Sequence, residues 1–201
     1  MNLTERGYCD KILRVDLTTG TIESTPLPAE QMPLLLGGKG LGAWLLYTEQ
    51  PAGVDPLGPD NHLIFHTGPL TGTTAPTAGR FGVTTQSPAT GTYFDAYCGG
   101  YWGQMLKYAG YDALVVSGAS EFAALIVIEE DEIVRIADLD CLDQTHSKFA
   151  QAFKQLIEGV FLVEAGHDNG QRRLCRTVSV LAGILNSGRC IRHGDTQVKQ
   201  E

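Results

Sequence analysis

No two cysteines in this chain stand in a C-x-x-C spacing. The five present, Cys9, Cys98, Cys141, Cys175 and Cys190, are odd in number and widely separated. That excludes a zinc knuckle and a self-contained iron–sulfur signature. Long apolar runs are also missing. Runs such as Ala123–Ile128 and Val178–Leu185 fall far short of the ~18 residues of a membrane-spanning helix, so no transmembrane span is expected. The start, Met1–Asp10, has no apolar stretch of the secretory kind, so reduced thiols in a cytoplasm are the expected state of the cysteines. Positive charge is scarce. Fifteen Lys and Arg face 23 Asp and Glu, for a formal net charge of -8, the reverse of a nucleic-acid binder. No G-x-x-x-x-G-K-[ST] run exists, so there is no P-loop. His62 and His66 lack the glutamate of an H-E-x-x-H zinc motif and read as a strand-edge pair without a role.

What is present supports a folded core. The chain has 201 residues, 43% of them apolar and 19% charged, and one domain over residues 1–201 is the expectation. Glycine is abundant, at 24 residues against a usual share of about 7%. The glycines cluster in Gly37–Gly42, Gly68–Gly91 and Gly99–Gly110, which suggests tight turns or close approach of the backbone to something. Residues 171–201 carry six basic residues against two acidic ones, a basic end on an acidic body that suits an anionic ligand, an acidic partner or a solvated tail.

The periodicities predict many short strands and few helices. Lys11–Leu17 and Ile22–Thr25 flank Thr18-Thr19-Gly20-Thr21 as a hairpin, and Ala124–Ile128 and Ile133–Ile136 flank an acidic turn as a second. Leu63–Phe65, Phe81–Thr85, Ala113–Val116 and Val160–Val163 read as strands, whereas Leu174–Leu185 fits either helix or strand. Helical patterns cover Leu41–Glu49, Gly103–Ala109 and, most clearly, Ser147–Glu158. The fold class expected is therefore α+β with β dominance.

Three stretches invite chemistry. Gly38-Lys39-Gly40-Leu41-Gly42-Ala43 fits G-x-G-x-x-A, with Asp60 about 20 residues on. A dinucleotide site there requires a strand before the run, where the sequence offers a short segment broken by Pro33. Cys98, in Tyr97-Cys98-Gly99-Gly100, is a lone thiol among glycines with no histidine pairing signature. Arg80 stands among glycines, threonines and prolines. Its forked guanidinium suits an anionic or planar polar ligand, or a structural tie between loops.

Taken together, the motifs resemble the N-terminal domain of the tungsten-containing aldehyde ferredoxin oxidoreductase family. The resemblance rests on Lys11–Gly20, Leu36–Ala43, Val54–Asn61, Thr67–Gly72, Gly79-Arg80-Phe81, Ser87-Pro88 and Lys107–Ala113. It holds in order and spacing to about residue 136, and residues 171–201 diverge from it. It implies a β-rich base of two half-barrel-like sheets on which a tungsten (or molybdenum) bis-pterin lies. It also implies aldehyde oxidation, with electrons passing through a [4Fe-4S] cluster to ferredoxin. By motif position, Arg80 is similar to the family's pterin-contacting arginine. Tyr97, Cys98, Gly99 and Gly100 stand where the family has Asn-Ser-Gly-Gly, so the glycines match and Tyr97 and Cys98 do not. The family's Arg-Ala-Ala-Gly-Arg-Gly-Gly segment is replaced by Asn186–Arg192, of which Gly188-Arg189 is the sole echo. The later domains that carry the cluster cysteines are not matched, so no [4Fe-4S] cluster is expected on this chain. The resemblance thus implies an accessory or partial subunit that associates with a larger oxidoreductase or with itself through the pterin face. The alternatives are a metal–pterin binding module, a degenerate remnant and, on the glycine run alone, an unrelated nucleotide-binding enzyme.

Overall fold

The computed structural model describes residues 7–120, 124–128, 134–138, 162–165 and 178–182. In its first hairpin, strand β1 (Lys11–Asp16) pairs antiparallel with β2 (Thr21–Pro26). Along β1, Leu13 and Val15 enter one apolar cluster and Ile12 enters another, the alternation a pleated strand imposes. The expected hairpin is there, and so are the strands expected at Leu63–Phe65, Phe81–Thr85 and Ala113–Val116. They form β3 (Leu63–His66), β4 (Phe81–Gln86) and β6 (Ala113–Ser117).

Strand β5 (Tyr93–Cys98), which the sequence pattern does not announce, completes a six-stranded sheet of order β2-β1-β6-β3-β4-β5. β1 runs parallel to β6, and the other neighbours are antiparallel. β6 lies inside this sheet, and its residues Ala113–Val116 are all buried, as a strand covered on both faces must be. A second sheet holds β7 (Ala124–Ile128), β8 (Val134–Asp138), β9 (Leu162–Ala165) and β10 (Val178–Ala182) in the order β8-β7-β10-β9. The ambiguity over Leu174–Leu185 resolves as strand at β10. The helix expected at Ser147–Glu158 and the echo at Gly188-Arg189 lie outside the described residues.

Helices cover one face of the six-stranded sheet and wedge against the other. α1 (Met32–Leu35) and α2 (Gly38–Glu49) bury Met32, Leu41 and Leu45 against Ile12, Ile64 and Val115. On the opposite face, α3 (Trp102–Tyr108) packs Trp102 and Leu106 with Leu13, Phe65, Phe81 and Leu114, and with Ala124, Ile126 and Ile128 of β7. The Trp102 ring centroid lies 4.5 Å from that of Phe81 and 5.2 Å from that of Phe65. Gly103 permits this closeness, since a Cβ there would stand 3.1 Å from Phe81 Cβ. No helix among the described residues is long and apolar enough to cross a membrane.

A buried ion pair ties these parts to one another. Lys107 Nζ, at the end of α3, bonds Asp112 Oδ1 and donates to Gly7 O at 2.7 Å. Asp112 Oδ2 accepts from the backbone N–H groups of Cys9 and Asp10, each at 2.8 Å. The Asp112 backbone donates to Lys11 O at 2.9 Å, and its carbonyl accepts from Thr67 N at 3.0 Å and Thr67 Oγ1 at 2.8 Å. Every polar atom of Asp112 is thus bonded. Burial pushes its carboxyl up, while Lys107 and the two N–H donors pull against that rise. Breaking such a pair leaves a charge buried without its partner. Asp112→Ala is expected to cost about 3–5 kcal/mol in chemical denaturation, whereas Asp55→Ala, in an exposed turn, should cost under about 1 kcal/mol. Equal losses would remove the pair from this role.

Candidate functional site

The segment before β4 and the segment after β5 meet at one end of the sheet. Phe81 pairs with Cys98 across the two strands, so the same register carries Arg80 alongside Gly99. Arg80 is exposed, and its guanidinium has no hydrogen-bond or ionic partner among the described residues. Its carbonyl accepts from Thr71 Oγ1 at 3.4 Å, and Thr71 Oγ1 accepts from Gly68 N at 3.2 Å. Tyr108 of α3 donates to Gly72 O at 3.0 Å. A Cβ at Gly79 would stand 3.0 Å from Gln104 Nε2 and 3.7 Å from Gly100 O. The 68–80 loop, the 99–100 turn and α3 therefore pack as one piece.

Of the expected site residues, Arg80, Tyr97, Gly99 and Gly100 come together at this end. Cys98 does not share the face of Tyr97, because successive residues of a strand point oppositely. Its partner Phe81 belongs to the α3 face, whereas Tyr97 pairs with Gly82 on the α2 face. Cys98 is an exposed free thiol whose Sγ lies 3.3 Å from Gly99 O. Gly100 has φ +101°, which demands glycine. Gly99 is different: its φ is not positive and a Cβ would meet nothing within 4 Å. The packing of the described residues gives no reason for a glycine there. Side-chain clearance beside an exposed arginine and open backbone N–H groups is what an approaching anionic, planar group requires.

The α2 face of the same end is polar. Lys39 Nζ bonds Asp95 Oδ1 at 2.8 Å and sits 5.8 Å from the Tyr93 ring centroid. Asp95 is the cross-strand partner of Thr84, whose Oγ1 lies 3.0 Å from His66 Nε2. The hydrogen bond with Asp95 raises the Lys39 ammonium above its ordinary value. Burial first, then Asp95, raises the Tyr97 hydroxyl. His66 is fully buried, and burial lowers its imidazole to about 4. The two histidines do not act as an edge pair. His66 lies on β3 between β6 and β4, while His62, lowered by burial, faces the charges of Glu49, Arg14 and Asp60.

The G-x-G-x-x-A reading fails on geometry. A helix, α1, and a left-handed turn at Leu36 (φ 57°) precede the run in place of a strand. Gly38 has a positive φ of 54°, and the other two glycines serve packing: a Cβ at Gly40 would strike Leu35 O, and one at Gly42 would stand 2.7 Å from His66 Nε2. Asp60 sits in a turn. Among the described residues no group of three or more His, Cys, Asp or Glu could hold a metal ion.

Comparison with known proteins gives the fold a context. Residues 12–165 match the family model for the aldehyde ferredoxin oxidoreductase N-terminal domain. The chain is 48% identical over 132 residues to a tungsten-containing aldehyde ferredoxin oxidoreductase of Pyrococcus abyssi, covering 66% of this chain and 22% of that protein. It is 31% identical over 130 residues to the aliphatic sulfonate oxidoreductase WOR-like subunit of Pyrococcus furiosus, covering 63% of this chain and 20% of the relative. Among solved structures it is similar to the BamBC active-site complex of benzoyl coenzyme A reductase bound to 1,5-dienoyl-CoA. That match has a TM-score of 0.68 and 35% identity, over 80% of this chain and 25% of the other. The chain thus spans about a fifth of the length of the curated relatives it matches.

The lowered imidazole of His66 makes a pH prediction. A histidine whose folded value is about 4, against about 6.5 unfolded, binds its proton more readily when unfolded. Its contribution to stability is complete above about pH 6.5 and falls as the pH drops toward 4, by about 3 kcal/mol at pH 4. Urea midpoints of the parent and of His66→Gln, compared from pH 7 to pH 4, should converge on acidification by that amount. A constant gap would contradict a neutral buried His66.

Proposed function

Since the chain belongs to the aldehyde ferredoxin oxidoreductase family through its N-terminal domain, we propose that it is the cofactor-base part of a tungsten- or molybdenum-pterin oxidoreductase. On this reading the substrates are aldehydes and the acceptors ferredoxin-type proteins. The chain acts as an accessory or partial subunit beside a larger polypeptide that supplies the substrate cavity, the [4Fe-4S] cluster and the electron path. The observation that carries the reading is the register of β4 against β5, which brings Arg80 beside Gly99-Gly100 at an exposed end.

The residues there fit a pterin-type group. Arg80 presents a forked cation to anionic or ring-edge acceptors, Gly100 supplies the turn, and Gly99 leaves clearance for a planar body. When bound, the metal–pterin group supplies the two-electron oxidation of aldehyde to carboxylate, and the chain's own share is to seat and orient it. Tyr97 lies on the same face and borders the seat, whereas Cys98 contributes its backbone. The matched relatives are named for three different substrates: aldehydes, an aliphatic sulfonate and benzoyl coenzyme A. That breadth supports a base that holds the cofactor while other parts of the protein choose the substrate. The exposure of Arg80, Gly99 and Gly100 also suits a second reading, a module that holds the metal–pterin for another chain or pairs with itself through this face. A reducing compartment such as the cytoplasm belongs to either reading, supported by the free thiols Cys9 and Cys98.

Anaerobic purification from the native host, with elemental analysis for tungsten and molybdenum, tests the proposal. About one metal per chain supports it, and a co-purifying larger oxidoreductase favours the subunit over the module. Neither metal nor partner overturns it. Arg80→Ala should lower metal–pterin retention about tenfold, as loss of a charge-assisted bond does, and leave the unfolding midpoint unchanged. Gly99→Ala separates binding from folding more sharply. It is expected to stabilise the chain by about 0.4–1 kcal/mol, because it restricts the unfolded state at a compatible backbone, while retention falls. Full retention in both variants would remove this end from the site.

A further inference from the structure

His66 is fully buried on an interior strand and has no part in the reading above. The cross-strand register places it opposite Gly82, and Gly82 opposite Tyr97. The imidazole fills space that two glycines leave. A Cβ at Gly82 would overlap its Cε1 and stand 2.9 Å from its Nδ1, and one at Gly42 would overlap its Cδ2. Thr84 Oγ1 fixes the ring's rotation through Nε2 at 3.0 Å. The ring lies edge-on to Tyr97, with centroids 6.2 Å apart and planes at 75°, the arrangement aromatic pairs favour. Nδ1 has no partner among the described residues.

An apolar side chain would serve stability better at this place. The layer around it holds Leu41, Leu45 and Ile64, and a buried imidazole with an unbonded nitrogen costs desolvation that a hydrocarbon would not. What a hydrocarbon lacks is a flat ring that is held in rotation by Thr84, passes over Gly82 and meets Tyr97. We infer that His66 is a positioning residue for the candidate cofactor face: wedged between Gly42 and Gly82, it props Tyr97 and holds the β4–β5 end at the spacing that presents Arg80 with Gly99-Gly100. The inference rests on the reading that this end seats the metal–pterin group. Asp95 and Lys39 flank the same face and complete its polar surroundings.

The test uses the full chain and a double-mutant cycle of His66→Ala and Gly82→Ala. The main readout is the rate at which Cys98, next to Tyr97, reacts with an aromatic disulfide, assigned to that thiol by peptide mass spectrometry. The near-UV circular dichroism of the tyrosines is recorded alongside, and denaturant midpoints report the fold. Each single variant should change the Cys98 rate about threefold or more, and the double variant should fall short of the product of the two, as expected of contacting residues. The methyl group that clashes with the ring in the parent finds room once the ring is gone. Gly42→Ala, which crowds the ring from the helix side, gives the same reading should His66→Ala fail to fold. An unchanged Cys98 rate in folded His66→Ala, or strictly multiplicative effects, would overturn the inference. Metal–pterin retention is scored separately. A parent chain without tungsten or molybdenum sinks the reading of the site, and the thiol rates still decide whether His66 holds the strand. Retention lost in His66→Ala and partly regained in the double variant supports both.

Discussion

The Lys107–Asp112 pair is the constraint on which the rest of the structure depends. It joins parts of the chain that are distant in sequence: the backbone at Cys9 and Asp10, the end of α3 and the start of β6. Through Thr67 it also fixes the exit of β3, from which the 68–80 loop departs toward Arg80. Both side chains are buried, at 7% and 2% exposure, so neither charge is readily rehydrated if the other moves. The geometry of the pair therefore passes into α3, and from α3 into the turn that carries Gly99 and Gly100.

The two faces of the six-stranded sheet serve different ends. The α3 face carries the larger apolar cluster and closes onto the second sheet through Ala124, Ile126 and Ile128. It supplies burial, the dominant favourable contribution to folding. The α2 face holds the apolar cluster of Ile12, Ile64 and Val115, bordered over β1 by Arg14 bonded to Glu49 and over β3, β4 and β5 by His66, Thr84, Asp95 and Lys39. Toward β5, which like β2 is an edge strand among the described residues, the face is polar. A long unpaired edge normally invites unwanted pairing. β5 has its Tyr93, Phe94 and Tyr97 rings 40–47% exposed, an edge better suited to being covered by a specific partner than to lying bare.

Much of this was legible in the sequence, for physical reasons that also mark where legibility ends. β1 and β6 declare themselves because each has an apolar core on both sides, so alternation or an unbroken apolar run must appear. β5 does not, because Tyr-Phe-Asp-Ala-Tyr-Cys is exposed on both faces except at Asp95, and no burial imprints a period on it. α1 is a single turn containing Pro33, too short for periodicity. Arg80 and Gly99-Gly100 stood out by composition and by family resemblance, but their adjacency is a property of cross-strand register, which no local pattern records. The role of His66 leaves no local pattern for the same cause. Its significance lies in Gly42 and Gly82, which are 24 and 16 positions away in sequence and touch it only in the fold.

The glycines complete the argument, because a missing side chain can answer three different demands. At Gly100 the backbone dihedral requires it. At Gly42 and Gly82 a neighbouring ring requires it. At Gly99 neither holds among the described residues, since the dihedral is ordinary and no described atom lies within 4 Å of where a Cβ would stand. A residue that costs backbone entropy without an internal return points outward, to something the chain meets rather than contains. That this glycine lies beside an exposed arginine whose charge has no partner among the described residues gives the same end of the sheet two independent reasons to be a binding surface. Both reasons come from the fold's own geometry, and they support the proposal that places a cofactor seat at this end.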